Sequence, residues 1–98
     1  MALSEKQKKH LRRLAHTLNP IVMLGNAGLT PNMVKEMDRA LADHELVKVS
    51  ARVGERGLRD AALEGLAAQT ASEIVHRVGH VGVFYRRSAR LPKILIPD

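Results

Sequence analysis

The sequence predicts an α/β protein, a two-layer sandwich in which helices pack on a mixed four-stranded sheet. Three observations carry that prediction. Segments with helical spacing alternate with short strand-like runs, which favours helices laid against a sheet. Gly79-His80 stands between two strand-like segments as a hairpin turn. Finally, 98 residues with a hydrophobic fraction of 45 % suit one domain over residues 1–98, with no repeat or low-complexity tract.

The elements follow in order. Ser4-Glu5-Lys6-Gln7 is a capping-box pattern that opens a first helix, with Leu11, Leu14, Ala15 and Leu18 as its apolar seam. Lys6, Lys9 and Arg13 form a basic stripe, and Pro20 follows the helix end. Ile21–Leu24 is a continuous apolar run, expected as a strand covered on both faces. Thr30-Pro31 supplies a cap and a first helical residue for a second helix. Its core face is Met33, Val34, Met37, Ala40 and Leu41, and His44 favours its C-terminal dipole. Leu46–Val53 alternates, with Val47, Val49, Ala51 and Val53 on one side. Lys48, Ser50 and Arg52 are expected on a wet, basic side. Gly54 and Gly57 mark a loop, and residues 58–70 carry a helix through Ala62, Leu63, Leu66 and Ala67, although Gly65 weakens it. Glu73–Val78 and Val81–Arg86 form the hairpin, and Lys93–Ile96 could add a short edge strand.

Charge gives the first functional indication. Sixteen Lys and Arg against ten Asp and Glu leave +6, with a pI near 10.3. Residues 1–20 hold five basic groups and one acidic, and residues 76–98 hold the same, so each end is +4. The middle holds six basic and eight acidic groups, which is −2. Basic excess gathered at two ends of a compact chain reads as a footprint for a polyanion. The chain has no cysteine and no long apolar run, which fits a reducing, cytoplasmic location without a signal peptide or membrane span.

Gly25-Asn26-Ala27-Gly28 lies between a strand and a capped helix. Glycines allow close backbone approach, and the amides of such a turn and of a helix N-terminus face outward with partial positive charge. That combination suits phosphate, and one RNA-binding module clamps nucleotide backbone with a loop of this form. Two glycines alone are more often an ordinary connection. Lys48, Arg52 and the charged ends strengthen the functional reading.

These residues also carry a family resemblance. Ser4…Gln7-Lys8…His10-Leu11…Leu14-Ala15-His16, Leu24-Gly25-Asn26-Ala27-Gly28-Leu29-Thr30, His44-Glu45-Leu46-Val47-Lys48-Val49 and Gly79…Tyr85-Arg86 occur in register over nearly the whole chain. The chain resembles the YhbY-like proteins, the stand-alone bacterial form of the CRM domain (chloroplast RNA splicing and ribosome maturation). The resemblance implies an α-β-α-β-α-β-β fold similar to the C-terminal domain of translation initiation factor three, and KH-like. It implies a GxxG loop that contacts RNA, and association with ribosomal RNA of the large-subunit precursor. Many CRM loops of the plant splicing proteins hold a basic residue between the glycines, where this chain has Asn26 and Ala27.

The resulting expectation is an RNA-binding protein that assists ribosome assembly. Gly25, Asn26, Ala27 and Gly28 would hold backbone, and Lys8, Lys9, Arg12, Lys48, Arg52 and Arg86 would supply charge. About five such contacts give a log–log salt slope of order −4. Arg77 is expected to point away from the core. Phe84 and Tyr85 are the only aromatic residues, so no row of stacking platforms exists and sequence readout should be slight.

Rival readings are weaker. His10 and His16 fall on different helical faces, and His76 and His80 are separated by a strand and turn, so neither pair suits a metal. The serines lack a nucleophile setting and the acids are scattered, so neither an enzyme, a cofactor nor a small-molecule substrate is expected. A general RNA chaperone remains an alternative. So does a protein- or membrane-docking module built on the basic first helix, although that helix has no aromatic anchor. A monomer is expected.

Overall fold

The computed structural model describes residues 3–88 together with 94, 96 and 97. Helix α1 spans Glu5–Ala15. Its capping box forms as the sequence predicts: Ser4 Oγ accepts from the Gln7 amide at 3.2 Å, and Gln7 Oε1 accepts from the Ser4 amide at 2.9 Å. The helix is a turn shorter than the seam predicts, because the chain leaves it at His16 and heads for the sheet. Of that seam only Leu11 and Ala15 are buried.

Strands β1 (Val22–Leu24), β2 (Leu46–Ala51), β3 (Glu73–Val78) and β4 (Val81–Tyr85) form one mixed sheet in the order β1-β2-β4-β3. β1 runs parallel to β2, and β4 lies antiparallel to both β2 and β3. Helices α2 (Pro31–His44) and α3 (Arg56–Thr70) are the crossovers that return the chain to the parallel strands. In α2 the Thr30 hydroxyl accepts from the Met33 amide at 3.3 Å and Pro31 takes the first helical position, as predicted. In α3 the Glu55 carboxylate caps the Gly57 amide at 2.8 Å. The hairpin closes across Gly79-His80, with Gly79 at φ +57. Positive φ at the first turn residue is the setting in which glycine costs nothing.

α2 and α3 cover one face of the sheet. Met37, Leu41, Leu63 and Leu66 pack there on Val22, Leu24, Val47, Val49, Ala51 and Phe84. Gly82 leaves room for the Phe84 ring beneath α3, since a Cβ there would meet Phe84 Cε1 at 2.9 Å and Leu63 Cδ2 of α3 at 3.4 Å. Gly65, the residue that weakens the helical pattern, has a similar reason: its missing Cβ leaves room for Leu29 Cδ2 at 2.9 Å.

The opposite face is also covered. Leu11 and Ala15 of α1 pack with Leu46, Val75, Val83 and Tyr85, joined by Leu3, Ile94 and Ile96. α1 therefore adds a partial third layer to the expected two-layer sandwich. This overturns the wet side assigned to β2, where Ser50 is buried with its hydroxyl unpartnered and Lys48 is only half-exposed. Alternation distinguishes polar from apolar positions but cannot see a helix folded onto the polar side. β1 fails in the other direction. It is an edge strand with one covered face, so Val22 and Leu24 are buried while Met23 is 53 % exposed. The edge strand expected over 93–96 lies largely outside the described residues, and Ile94 and Ile96 themselves are not in a strand.

A buried acid ties these layers together. Glu45, at φ 64 beyond the end of α2, is fully buried. Its carboxylate accepts the Ser88 amide at 2.6 Å and the Ile94 amide at 2.8 Å, and its carbonyl accepts the Arg86 amide at 3.0 Å. Charged groups this deep need such partners.

Candidate nucleic-acid interface

β1 and β2 are parallel, so their C-terminal ends meet at one end of the sheet, where Leu24 pairs with Ala51. From that end the chain leaves β1 through Gly25–Gly28. The Gly25 carbonyl accepts the Gly28 amide at 2.9 Å, closing a β-turn with Asn26 and Ala27 at its centre. Gly28 has φ +72, the left-handed region that favours glycine. Gly25 has no positive φ, and space for a Cβ is open at both glycines. The turn is exposed and followed by the N-terminus of α2, where Pro31 has no N–H, Thr30 Oγ1 takes the Met33 amide, and the Asn32 amide is left without an intrahelical acceptor.

The turn does not present four free amides. The Gly28 amide is engaged inside it, so the outward donors are fewer than Gly25–Gly28 read as a set of amides would supply.

Arg52 stands beside this turn because its own amide donates to the Leu24 carbonyl at 2.9 Å. Its side chain is exposed and, among the described residues, makes no ion pair. The hairpin tip reaches the same end, where the His80 carbonyl accepts the Ala51 amide at 2.7 Å. α3 also starts here, with exposed Arg56 as its first residue. Sequence reasoning missed Arg56; its only signal was a position just past the Gly54 loop, four residues after Arg52.

The remaining expected residues do not form one patch with the turn. Lys48 lies on the α1 face of β2, about 13 Å before Arg52 along the strand. Its Nζ donates to the Leu18 carbonyl at 3.0 Å, pinning the connection between α1 and β1. Lys8 sits at the far end of the sheet, 3.9 Å from Glu73, whose carboxylate also accepts the Leu3 amide at 3.1 Å. Lys9 and Arg12 are exposed on α1 and, among the described residues, make no ion pair.

Arg86 also departs from expectation. Its guanidinium pairs with Asp38 at 2.7 Å and also donates to the Thr70 carbonyl at 2.9 Å and the Asp38 carbonyl at 3.0 Å. It joins α2, the end of α3 and the end of β4, so its donors already face protein acceptors. Arg77 does so too. Rather than turning away from the core, it shares the α3 face with Gly82, its register partner, and pairs with Asp60 at 3.3 Å and with Glu64. Strand alternation assigned it a face but could not say that acids of α3 lie across that face.

Among the described residues, no group of three or more His, Cys, Asp or Glu is placed to hold a metal ion, and no helix is long and apolar enough to cross a membrane.

The model of the CRS1 / YhbY (CRM) domain matches residues 3–86. The chain belongs to the CRM domain family. Two relatives agree in length as well as sequence. A Pseudomonas aeruginosa protein, named a probable RNA-binding protein, is 39 % identical over 95 residues, which is 97 % of this chain and 91 % of that one. A Haemophilus influenzae protein, named an RNA-binding protein, is 41 % identical over 95 residues, 97 % of this chain and 95 % of that one. The fold is likewise similar to the solution structure of a Staphylococcus aureus protein. That match has a TM-score of 0.83 at 36 % identity and covers 98 % of this CRM chain and 100 % of the other.

Proposed function

We propose that this CRM domain binds RNA of the large-subunit precursor and assists ribosome assembly, acting in the cytoplasm as a monomer and without catalysis. The observation that carries the RNA reading is the exposed Gly25–Gly28 turn before α2 with Arg52 beside it, exposed and without an ion pair among the described residues. Outward amides, a helix N-terminus and a guanidinium around one open turn suit a phosphate chain. Lys9 and Arg12 add charge from α1, while Lys8 and Lys48 contribute only what their internal contacts leave available. The names of the relatives support RNA as the partner. The ribosomal assignment rests on the resemblance to YhbY-like proteins.

The test uses Gly25→Asp rather than Gly28→Asp. Gly28 sits at positive φ, so its substitution would mix strain with charge, whereas Gly25 has open space and no positive φ. Gly25→Asp should melt as the parent does and lose about tenfold in affinity for a fragment of large-subunit precursor RNA, a charge-contact-sized effect. Parental affinity would reduce the turn to a connection. Crosslinking in cells followed by sequencing should recover large-subunit ribosomal RNA. Recovery of scattered messages would favour a general RNA chaperone instead.

A further inference from the structure

At the opposite end of β1 from the turn, the described residues enclose a cleft of about 550 Å³ between the end of α1, the start of β1 and the start of β2. Its apolar rim includes Leu14, Leu18 and Ile21, which are 41 %, 39 % and 52 % exposed. These are the seam and strand residues that the fold fails to cover. Asn19, His44 and Lys48 supply polar groups in the same cleft, and none of the described residues lining it is acidic. A concave apolar site of a few hundred cubic ångströms with a few convergent polar groups is the form of a small-ligand pocket.

We propose that this cleft receives an unstacked nucleobase of a single-stranded RNA whose backbone is held at the Gly25–Gly28 turn; the proposal rests on the RNA reading above. Three features select that occupant. Among the described residues the lining carries Lys48, whose Nζ also donates to the Leu18 carbonyl, and no carboxylate, so its charge complements a nucleotide. Asn19 and His44 offer donors and acceptors to a base edge, which a purely aliphatic groove would lack. β1 runs directly from the cleft to the turn, about 13 Å from Ile21 to Gly25, so one extended strand of RNA could occupy both. The chain has only Phe84 and Tyr85 as aromatics, and both are buried, so an apolar cleft is its means of sheltering a base face. A base paired in a duplex is unavailable to such a site, so the cleft would favour single strands.

The full chain would be tested against a short single-stranded RNA and a duplex of matched length at equal salt, with Leu14→Ser and Ile21→Ser as separate variants. Both positions are exposed and both substitutions are neutral in charge, and thermal melting verifies folding. The expected result is a loss of about five- to tenfold for the single strand in each folded variant, the size of one base contact, with duplex affinity within about twofold of the parent. Equal losses on both RNAs, or no loss on either, would overturn the cleft as a base site. An unchanged pair of affinities would leave the groove to a protein segment. If the parent chain bound neither RNA, the RNA reading itself would fall, a result distinguishable from failure of the cleft alone.

Discussion

Tyr85 and Glu45 lie close to each other where β4 ends, and the charge of Glu45 acts on the phenol. Tyr85 is buried in the cluster beneath α1. Burial raises its phenol pKa above the ordinary 10.0, the nearby Glu45 charge adds to the rise, and Arg87 opposes it. The folded chain therefore keeps the phenol proton at alkaline pH where the unfolded chain has released it. That contribution is complete below pH 10.0 and is lost as pH rises through the folded value. Tyr85→Phe removes the titrating group, and no hydrogen bond of the hydroxyl has to be replaced among the described residues. Urea unfolding at about pH 8 and about pH 11 should show the parent losing more stability than Tyr85→Phe over that interval. Equal losses would mean that the phenol titrates freely in the folded chain.

Elements whose cause is local were legible in the sequence. α2 follows from Thr30-Pro31 and its apolar spacing, and the β3–β4 hairpin from Gly79-His80; both have the expected bounds to within a residue. What depends on distant partners was not. The edge position of β1 is set by the crossovers, and the covering of the Leu46 side of β2 by a helix more than thirty residues earlier in the chain. Arg86 read as a cation open to RNA because its partner Asp38 lies 48 residues away, and the burial of Glu45 depends on Ser88, 43 residues on. In the candidate site, the turn and Arg52 were legible because a strand end places them, whereas the distribution of the other cations was not. Close packing between elements gives the sharpest test at this scale. Gly82 lies in β4 beneath α3, and an added Cβ would come 2.9 Å from the ring of Phe84, which is fully buried, and 3.4 Å from Leu63. Neither neighbour has free space to yield into. Gly82→Ala should therefore destabilise by about 2 kcal/mol, the usual cost of overpacking a core. A thermal or urea melt equal to that of the parent would show that α3 can move away from the sheet.

At the scale of the whole molecule, the +6 charge is not one surface. Arg77 and Arg86 face acids of α3 and α2, and Lys8 faces Glu73. Arg52 stands with the turn, while Lys9 and Arg12 lie outward on α1. Cations engaged inside the protein release few counterions when a polyanion binds, so the salt dependence of RNA binding should follow placement rather than count. Each phosphate contact contributes about −0.9 to the log–log slope on a duplex and about −0.7 on a single strand. Arg52→Ser should make the slope shallower by about that amount while leaving the melt unchanged, since its side chain makes no ion pair among the described residues. Arg86→Met should do the reverse. It leaves Asp38 and the Thr70 carbonyl without their donor, which should lower stability by about 1–3 kcal/mol, and it should leave the slope where the parent has it. Affinity titrations from low to moderate salt, paired with urea melts on the same preparations, separate the two effects. A shallower slope for Arg86→Met would mean that RNA competes successfully for a guanidinium that α2 and α3 already hold. The interface would then extend across the α2 side of the sheet rather than stopping at the turn.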